Sequence, residues 1–146
     1  AAQRPVPADP QAEFRVASTI SPRLAPHVGV GVNLRAGWYA RLGGHVEAGA
    51  TRVEDRWVAS QRVTLGARFL LDPFGQSRAG LYGGAGLSVR RVGDASPEGA
   101  LVLLVGLEGR APLRAKPGTF VPAVEVALGG GVQLGVVLRR GRADTR

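Results

Sequence analysis

Charged side chains recur at strand-like spacing through most of this sequence, and they are the residues that could do chemistry. Glu13 and Arg15 stand two positions apart, a spacing that places both side chains on one face of a strand. Twelve charged residues fall on the polar face of the predicted strands: Glu13, Arg15, Arg35, Arg41, Glu47, Arg62, Arg68, Arg90, Glu108, Arg110, Glu125 and Arg139. This pattern predicts a structural salt-bridge network in a protein interior. Lining a small conductance path is the functional alternative.

His45 stands two residues before Glu47, and this pair invites a general-base or metal-site interpretation. A metal site normally needs three or four ligands. No second histidine lies at ligand spacing, and His27 is expected near a loop, so we predict no metal site. A Ser-His-Glu lipid hydrolase could recruit Ser60 or Ser88, but the sequence has no nucleophile-elbow motif. We therefore predict no catalytic residues and keep a lipid-modifying enzyme that uses His45 and Glu47 as an alternative.

Strands must position these residues, because apolar and polar residues alternate along most of the chain. In the stretch 57–92, Leu65 and Leu87 fall on one face while Arg62 and Ser88 fall on the other. We predict strands at about 12–20, 27–36, 38–52, 57–71, 79–92, 100–110, 119–128 and 131–140, and no helix. Residues 1–11 are predicted to be a flexible leader, 12–140 a β-barrel and 141–146 a basic tail.

Consecutive hairpins of even number close most simply as an up-and-down barrel, which removes both sheet edges. A barrel of about eight strands has a lumen only wide enough to be filled by side chains. The predicted fold is therefore all-β: an eight-stranded antiparallel up-and-down transmembrane barrel with a filled polar interior.

Two kinds of barrel fit the alternation: a soluble, lipocalin-like carrier of an apolar ligand, and a membrane barrel whose apolar face meets lipid. Glycine crowds the polar face, as at Gly66, Gly84 and Gly86, and a narrow lumen shared with arginines needs small neighbours. Aromatic residues fall at or near predicted strand ends, where interfacial girdles belong: Phe14, Trp38, Trp57, Phe69 and Phe120. These features favour the membrane barrel.

The composition narrows the range of partners. The formal net charge is +8, and 18 of the 19 basic residues are arginine. They are spread along the chain rather than gathered in a patch, and only 5% of residues are aromatic, which argues against nucleic acid. A lipid bilayer and its anionic headgroups are the predicted partners. No run approaches the ~18 apolar residues of a membrane helix.

Three further features bear on chemistry and export. Cysteine is absent, so disulfide and thiolate chemistry is excluded. The glycine-rich stretch 83–86 lacks the spacing of a dinucleotide fingerprint, and we expect no cofactor. The chain begins Ala1-Ala2-Gln3, as a chain would after a signal peptidase cuts behind small residues. Export with a cleaved signal peptide is therefore expected.

With these patterns, residues 12–140 resemble the small eight-stranded outer-membrane β-barrels, the OmpA/OmpX/OmpW-like group. The resemblance rests on strand pattern and not on a signature motif. It implies a Gram-negative outer membrane, termini in the periplasm, and periplasmic turns at Gly37, 72–77 and 111–118. The chain departs from the group by ending Asp144-Thr145-Arg146 instead of on an aromatic residue, with Leu138 the last membrane-type residue. Its external loops are also short, which weakens a receptor or adhesin interpretation.

The sequence thus favours a non-enzymatic outer-membrane barrel with a structural, anchoring or self-assembly role. Self-association into homo-oligomers would use small residues on the lipid-facing side: Ala40, Gly44, Ala48, Ala50, Gly83 and Ala85. The alternatives are the lipid-modifying enzyme and the soluble carrier.

Overall fold

Eight antiparallel strands form a single closed barrel, each paired with the next along the chain and the last paired with the first. The computed structural model describes residues 10–21, 23–72, 79–109 and 118–140. The strands are β1 Pro10–Ser21, β2 Arg23–Ala36, β3 Ala40–Val53, β4 Arg56–Leu70, β5 Gly80–Val92, β6 Glu98–Glu108, β7 Phe120–Leu128 and β8 Val132–Arg140. No helix among these residues is long and apolar enough to cross a membrane. The predicted strand count and closed up-and-down topology are confirmed.

The two ends of the barrel are defined by the chain termini. The start of β1 and the end of β8 lie side by side, with Glu13 opposite Arg139, at what we call the terminal end. The β2–β3 turn at 37–39 and the connections after β4 and β6 share this end. The turns after β1, β3, β5 and β7 lie at the far end. Of the predicted segments, residues 1–9, 73–78, 110–117 and 141–146 lie outside the described residues.

Apolar side chains point out of the barrel and polar ones point into it. Leu65 and Leu87 are 65% and 67% exposed, whereas Arg62 and Glu125 are 3% and 2% exposed. The strict two-residue period of a strand produces this separation, and a shift of one residue in pairing would reverse it. The soluble, lipocalin-like alternative requires the opposite arrangement, an apolar interior, and is therefore wrong.

Among the described residues, the interior holds one small apolar cluster near the terminal end. Tyr82, Ala123 and Val137 are its buried members, and Leu70 and Leu104 pack against it. Leu104 interrupts the polar pattern of β6 because it packs against this cluster, and Val102 is buried on the same inner face of the strand.

The second strand begins at Arg23, four residues before its predicted start at 27. Pro26 suggested a loop there, yet it pairs with Ser18 on β1. On the other side, β2–β3 pairing begins only at His27 opposite Gly49, so the missing N–H of Pro26 costs no β2–β3 ladder bond. His27, expected near a loop, is consequently a buried residue inside the barrel.

The β3–β4 hairpin extends beyond its neighbours at the far end. Pairing with β2 stops at Gly49 and pairing with β5 stops at Ser60, so the strand partners of residues 50–59 all lie within the hairpin, apart from a hydrogen bond from the Gly93 N–H to the Ala59 oxygen. Glu54 and Asp55 form the two-residue turn with φ angles of 45° and 64°. A left-handed pair matches the twist of a tight hairpin but is usually built from Asn and Gly. The tip therefore presents two carboxylates at a local conformational cost.

Glycine on the inner face allows adjacent strands and lumen side chains to approach closely. A Cβ added to Gly84 would lie 2.3 Å from the backbone oxygen of Ala67, a contact that the paired strand cannot relieve. Its neighbour Gly83 faces outward, and the same atom there would lie 3.7 Å from the oxygen of Leu104.

We expect Gly84→Ala to lower the free energy of unfolding by about 1–3 kcal/mol, because the added methyl overpacks the β4–β5 contact. The matched control is Gly83→Ala, which adds the same atom to the same strand and should change stability little. Urea unfolding of both variants in detergent, followed by tryptophan fluorescence, measures the difference. Equal effects of the two substitutions would contradict this account of the inner-face glycines.

Candidate functional site

Arg15 on β1 lies at the centre of the lumen network and contacts three carboxylates. Its guanidinium donates to Glu13 at 3.0 Å and to Glu47 at 3.4 Å, and it also pairs with Glu125. These glutamates come from β1, β3 and β7, so one side chain links three strands. Charge-assisted pairing of this kind is needed in a dry interior, where an isolated charge is very costly.

Arg139 on β8 repeats this arrangement nearer the terminal end. It donates to Glu13 at 3.1 Å and to Glu125 at 2.5 Å, and it pairs with Glu108. It also donates to the Tyr82 hydroxyl at 3.0 Å, with its guanidinium carbon 4.8 Å from the centre of the Tyr82 ring. The Tyr82 hydroxyl in turn donates to Glu125 at 2.7 Å. Tyr82 therefore satisfies both charges while its ring packs in the apolar cluster.

Arg68 and Arg41, on adjacent strands, complete the ion pairs of the terminal half. Arg68 lies 3.3 Å from Glu125 and 3.5 Å from Glu13, and it donates to the amide oxygen of Asn33. Arg41 binds both oxygens of Glu108, at 2.7 and 3.2 Å. A two-point arginine–carboxylate contact fixes geometry as well as charge.

The far half of the lumen is connected through neutral side chains. Arg62 donates to the Gln133 side-chain oxygen at 2.9 Å, and the Gln133 amide donates to both oxygens of Glu47, at 2.8 and 3.1 Å. Arg90 donates to the Ser60 hydroxyl at 3.4 Å. Arg62 and Arg90 thus belong to the lumen without meeting the glutamates directly.

One further predicted member of the network, Arg35, lies at the terminal end. The Arg35 guanidinium lies 3.5 Å from the backbone oxygen of Trp38, in the β2–β3 turn. Arg110 lies outside the described residues. Of the twelve predicted residues, the structure therefore joins eight directly through ion pairs: Glu13, Arg15, Arg41, Glu47, Arg68, Glu108, Glu125 and Arg139.

The residues considered for catalysis or metal binding are all inside the barrel. The His45 ring lies between Glu13 and Glu47, at 3.8 and 3.9 Å. Ser60 is fully buried and pairs with His27 at 3.0 Å, not with His45, while Ser88 accepts from Thr64 at 3.2 Å. Within the described ranges, no three His, Cys, Asp or Glu side chains are grouped as a metal ion would require.

Sequence reasoning placed Tyr82 at the lumen network but missed two neutral members, Asn33 and Gln133. Asn33 donates to Glu13 at 2.6 Å and Gln133 bridges Arg62 to Glu47. Both occupy inward positions of the alternating pattern. Those positions could have identified them, but the network was predicted from charged residues and so excluded the two amides.

The five aromatic residues predicted as a girdle are exposed on the outside of the barrel. Trp57 lies at the far end, at the start of β4, while Trp38, Phe69 and Phe120 lie toward the terminal end. Phe14 contacts Phe120, with ring centres 5.8 Å apart. Aromatic side chains are thus present toward both ends of the apolar wall.

No protein-family model and no curated protein matches the chain. The crystal structure of Neisserial surface protein A (NspA) is similar, with a TM-score of 0.60 at 16% identity over 90% of this chain and 94% of that one. The Yersinia pestis outer membrane protein Ail, in a phospholipid bilayer nanodisc, has a TM-score of 0.54 at 13% identity, over 91% and 99%.

The chain has the fold of the small eight-stranded outer-membrane β-barrels. This likeness confirms the resemblance drawn from the strand pattern. At such low identity it shows the fold of the barrel and nothing of its individual task.

We expect Glu125→Ala to lower the free energy of unfolding of the barrel by about 3–5 kcal/mol, because Arg15, Arg68 and Arg139 would lose a shared carboxylate in a buried site. Glu47→Ala should act in the same direction, since it removes the carboxylate that Gln133 and Arg15 share. Glu98→Ala, at an exposed position, is the control. Thermal unfolding in detergent reports the change, and an unaltered transition for Glu125→Ala would remove the network as a source of stability.

Proposed function

We propose that this barrel spans the outer membrane of a Gram-negative bacterium, where it serves a structural, anchoring or self-assembly role without catalysing a reaction. The observation that carries the proposal is the inside-out arrangement of its wall. Large apolar side chains are exposed on every strand, while the charged network is enclosed. An apolar surface that surrounds a whole protein is suited to hydrocarbon and not to water.

The filled lumen supports a structural role over transport. Side chains of Arg15, Arg68 and Arg139 reach across the interior to shared carboxylates and are buried. We propose that the network plugs the barrel and holds its strands in register, and that the lumen does not conduct. The aromatic residues at the two ends would lie at the headgroup level of the bilayer.

The placement of the polar groups supports a non-enzymatic role over the lipid-modifying alternative. His45, Glu47, Ser60 and Ser88 are all buried in the lumen, and the acyl chains of lipid reach only the outer wall. Ser60 has a histidine partner in His27, but its second hydrogen-bond partner is the cation Arg90. A serine activated as a nucleophile needs a base oriented by a third group, and among the described residues no carboxylate bonds the His27 ring to do so.

The outer wall at the far end supports contact with anionic lipid headgroups. Arg23 donates to the backbone oxygen of Arg52 at 2.7 Å, and both arginines line a shallow recess beside Trp57. Glu54 and Asp55 also border the recess, and Asp55 pairs with Arg52 at 3.2 Å. We propose that Arg23 and Arg52 face lipid phosphates at this level of the membrane.

Small residues on the outer wall support close contact between barrels. Ala48 and Ala85 are exposed there, and Ala40, Gly44, Ala50 and Gly83 are partly exposed. Such residues let backbones approach closely in lipid. We propose that copies of the barrel associate with one another through this wall.

We expect Val63→Arg to lower the free energy of membrane folding by about 2–4 kcal/mol, because Val63 faces outward in the middle of β4, between Val46 and Val89. The control is Leu24→Arg, near the far end of β2, where the cost should be about 0–1 kcal/mol. The folded fraction is measured by gel migration with and without boiling after refolding into lipid. A protein that stays folded and soluble without detergent, or that tolerates arginine equally at both positions, contradicts membrane insertion.

The orientation of the barrel is tested by labelling, since the chain has no cysteine of its own. We propose that the termini are periplasmic and that the β3–β4 hairpin points outward from the cell. A membrane-impermeant maleimide should then label Asp55→Cys in intact cells. Tyr39→Cys, in the turn at the terminal end, should react only after the outer membrane is permeabilised. The reverse pattern would show that the barrel is inserted the other way.

A further inference from the structure

Two arginines face each other inside the far half of the lumen. Arg62 on β4 is directly opposite Arg90 on β5 in the strand register, and both side chains point inward. Arg62 is 3% exposed, and Arg90 is half-buried. Like charges directly opposite on paired strands repel, and the repulsion grows as water is excluded.

The same barrel contains a second arginine pair that shows how such a repulsion is removed. Arg41 on β3 is directly opposite Arg68 on β4. There, Arg41 binds Glu108 at 2.7 and 3.2 Å, and Arg68 lies 3.3 Å from Glu125 and 3.5 Å from Glu13. Each guanidinium of that pair has a carboxylate of its own.

The Arg62–Arg90 pair has only neutral hydrogen-bond partners, although Glu47 on β3 is opposite Arg62 and Glu98 on β6 is opposite Arg90 in the strand register. Among the described residues, Arg62 donates to Gln133 and Arg90 to Ser60, and neither makes an ion pair. The carboxylate that borders this layer, Glu47, is occupied by the Gln133 amide at 2.8 and 3.1 Å and by Arg15 at 3.4 Å. The layer therefore carries positive charge that no contacting carboxylate balances.

The far half of the lumen around Arg62 and Arg90 also contains buried polar atoms that no other group in the described part of the protein binds. The Arg62 Nε is buried and has no hydrogen-bond partner among the described residues, as is also true of the Nε atoms of Arg41 and Arg68. In the far half, the Thr19 hydroxyl and the His27 Nδ1 are buried and unpartnered as well. Thr19 is fully buried, points inward and is opposite Gln133 in the β1–β8 register. Buried polar groups are normally satisfied, so the surplus indicates a partner outside the chain.

We propose that the far half of the lumen binds a small phosphate-type oxyanion between Arg62 and Arg90. Two guanidinium groups offer planar pairs of N–H donors that match the oxygens of phosphate or sulfate, and a divalent anion would convert their repulsion into attraction. The Thr19 hydroxyl adds a donor to the same layer. The anion would enter from the far end, on whose side Arg90 is the more exposed of the two arginines. Its source is either a free ion or the phosphate of a lipid headgroup.

The test uses the whole barrel folded in a zwitterionic detergent, with inorganic phosphate exchanged for chloride at constant ionic strength. The unfolding temperature of the wild type should rise by a few degrees, on the order of 2–6 °C, at saturating phosphate. Arg90→Gln, at a half-buried position, should fold and lose most of this shift. Arg52→Gln, an exposed arginine on the outer wall, should keep it. Arg62→Gln should also lose it, and Arg90→Gln alone decides the test if Arg62→Gln does not fold.

A second arm separates the two sources of the anion. The barrel is placed in nanodiscs of phosphatidylcholine with or without phosphatidylglycerol, in buffer free of phosphate. The anion is assigned to a lipid headgroup if phosphatidylglycerol stabilises the wild type, Arg90→Gln abolishes this stabilisation, and added phosphate reverses it. Stabilisation by inorganic phosphate alone assigns it to a free ion. The absence of any shift in the wild type, or equal shifts in the wild type and Arg90→Gln, overturns the site and leaves the membrane-barrel proposal unaffected.

Discussion

Arg15, Arg68 and Arg139, from three different strands, meet the carboxylates of Glu13 and Glu125 inside a lumen filled by side chains. Each of these charges would be very costly in isolation, so each constrains where the others must lie. A shift of one residue in any strand would turn its charges toward lipid and its leucines and valines into the lumen. The pairing of strands, the polarity of the wall and the filling of the interior therefore depend on one set of contacts.

The network in turn determines which inward-facing positions must be glycine. A guanidinium or a phenol that crosses the lumen needs a neighbour without a side chain. A Cβ on Gly106 would lie 2.2 Å from the Tyr82 ring, and one on Gly43 would lie 2.2 Å from the Asn33 amide oxygen. Glycine weakens an isolated strand. Here it admits the large polar side chains that fill the interior, while the opposite face of each strand remains apolar.

The two-residue period was sufficient to predict the strands and the face of each side chain. The run from Val124 to Leu128, with Glu125 and Ala127 inward, follows that pattern without exception. The pattern wrongly predicted a loop at Pro26. Whether the missing N–H of a proline interrupts a strand depends on where the neighbouring strand stops pairing, and the sequence does not give that position. The pattern also could not assign partners: Arg62 could have met Glu47, but a glutamine from β8 lies between them. Such contacts join residues 71 and 86 positions apart and depend on side-chain reach across the lumen.

Closure of the barrel has a consequence for how it assembles. Seven of the eight strand pairings join consecutive strands, but the β1–β8 seam joins Glu13 to Arg139, with nearly the whole chain between them. The entropy of closing that loop must be lost before the seam gains any contact in return. Hairpins can form in order along the chain, yet Arg139 reaches Glu13 only when the last strand docks on the first. Until that moment the sheet has two open edges, each able to pair with another chain. Docking of β8 on β1 therefore removes both open edges and forms the ion pairs of Arg139 in the same step.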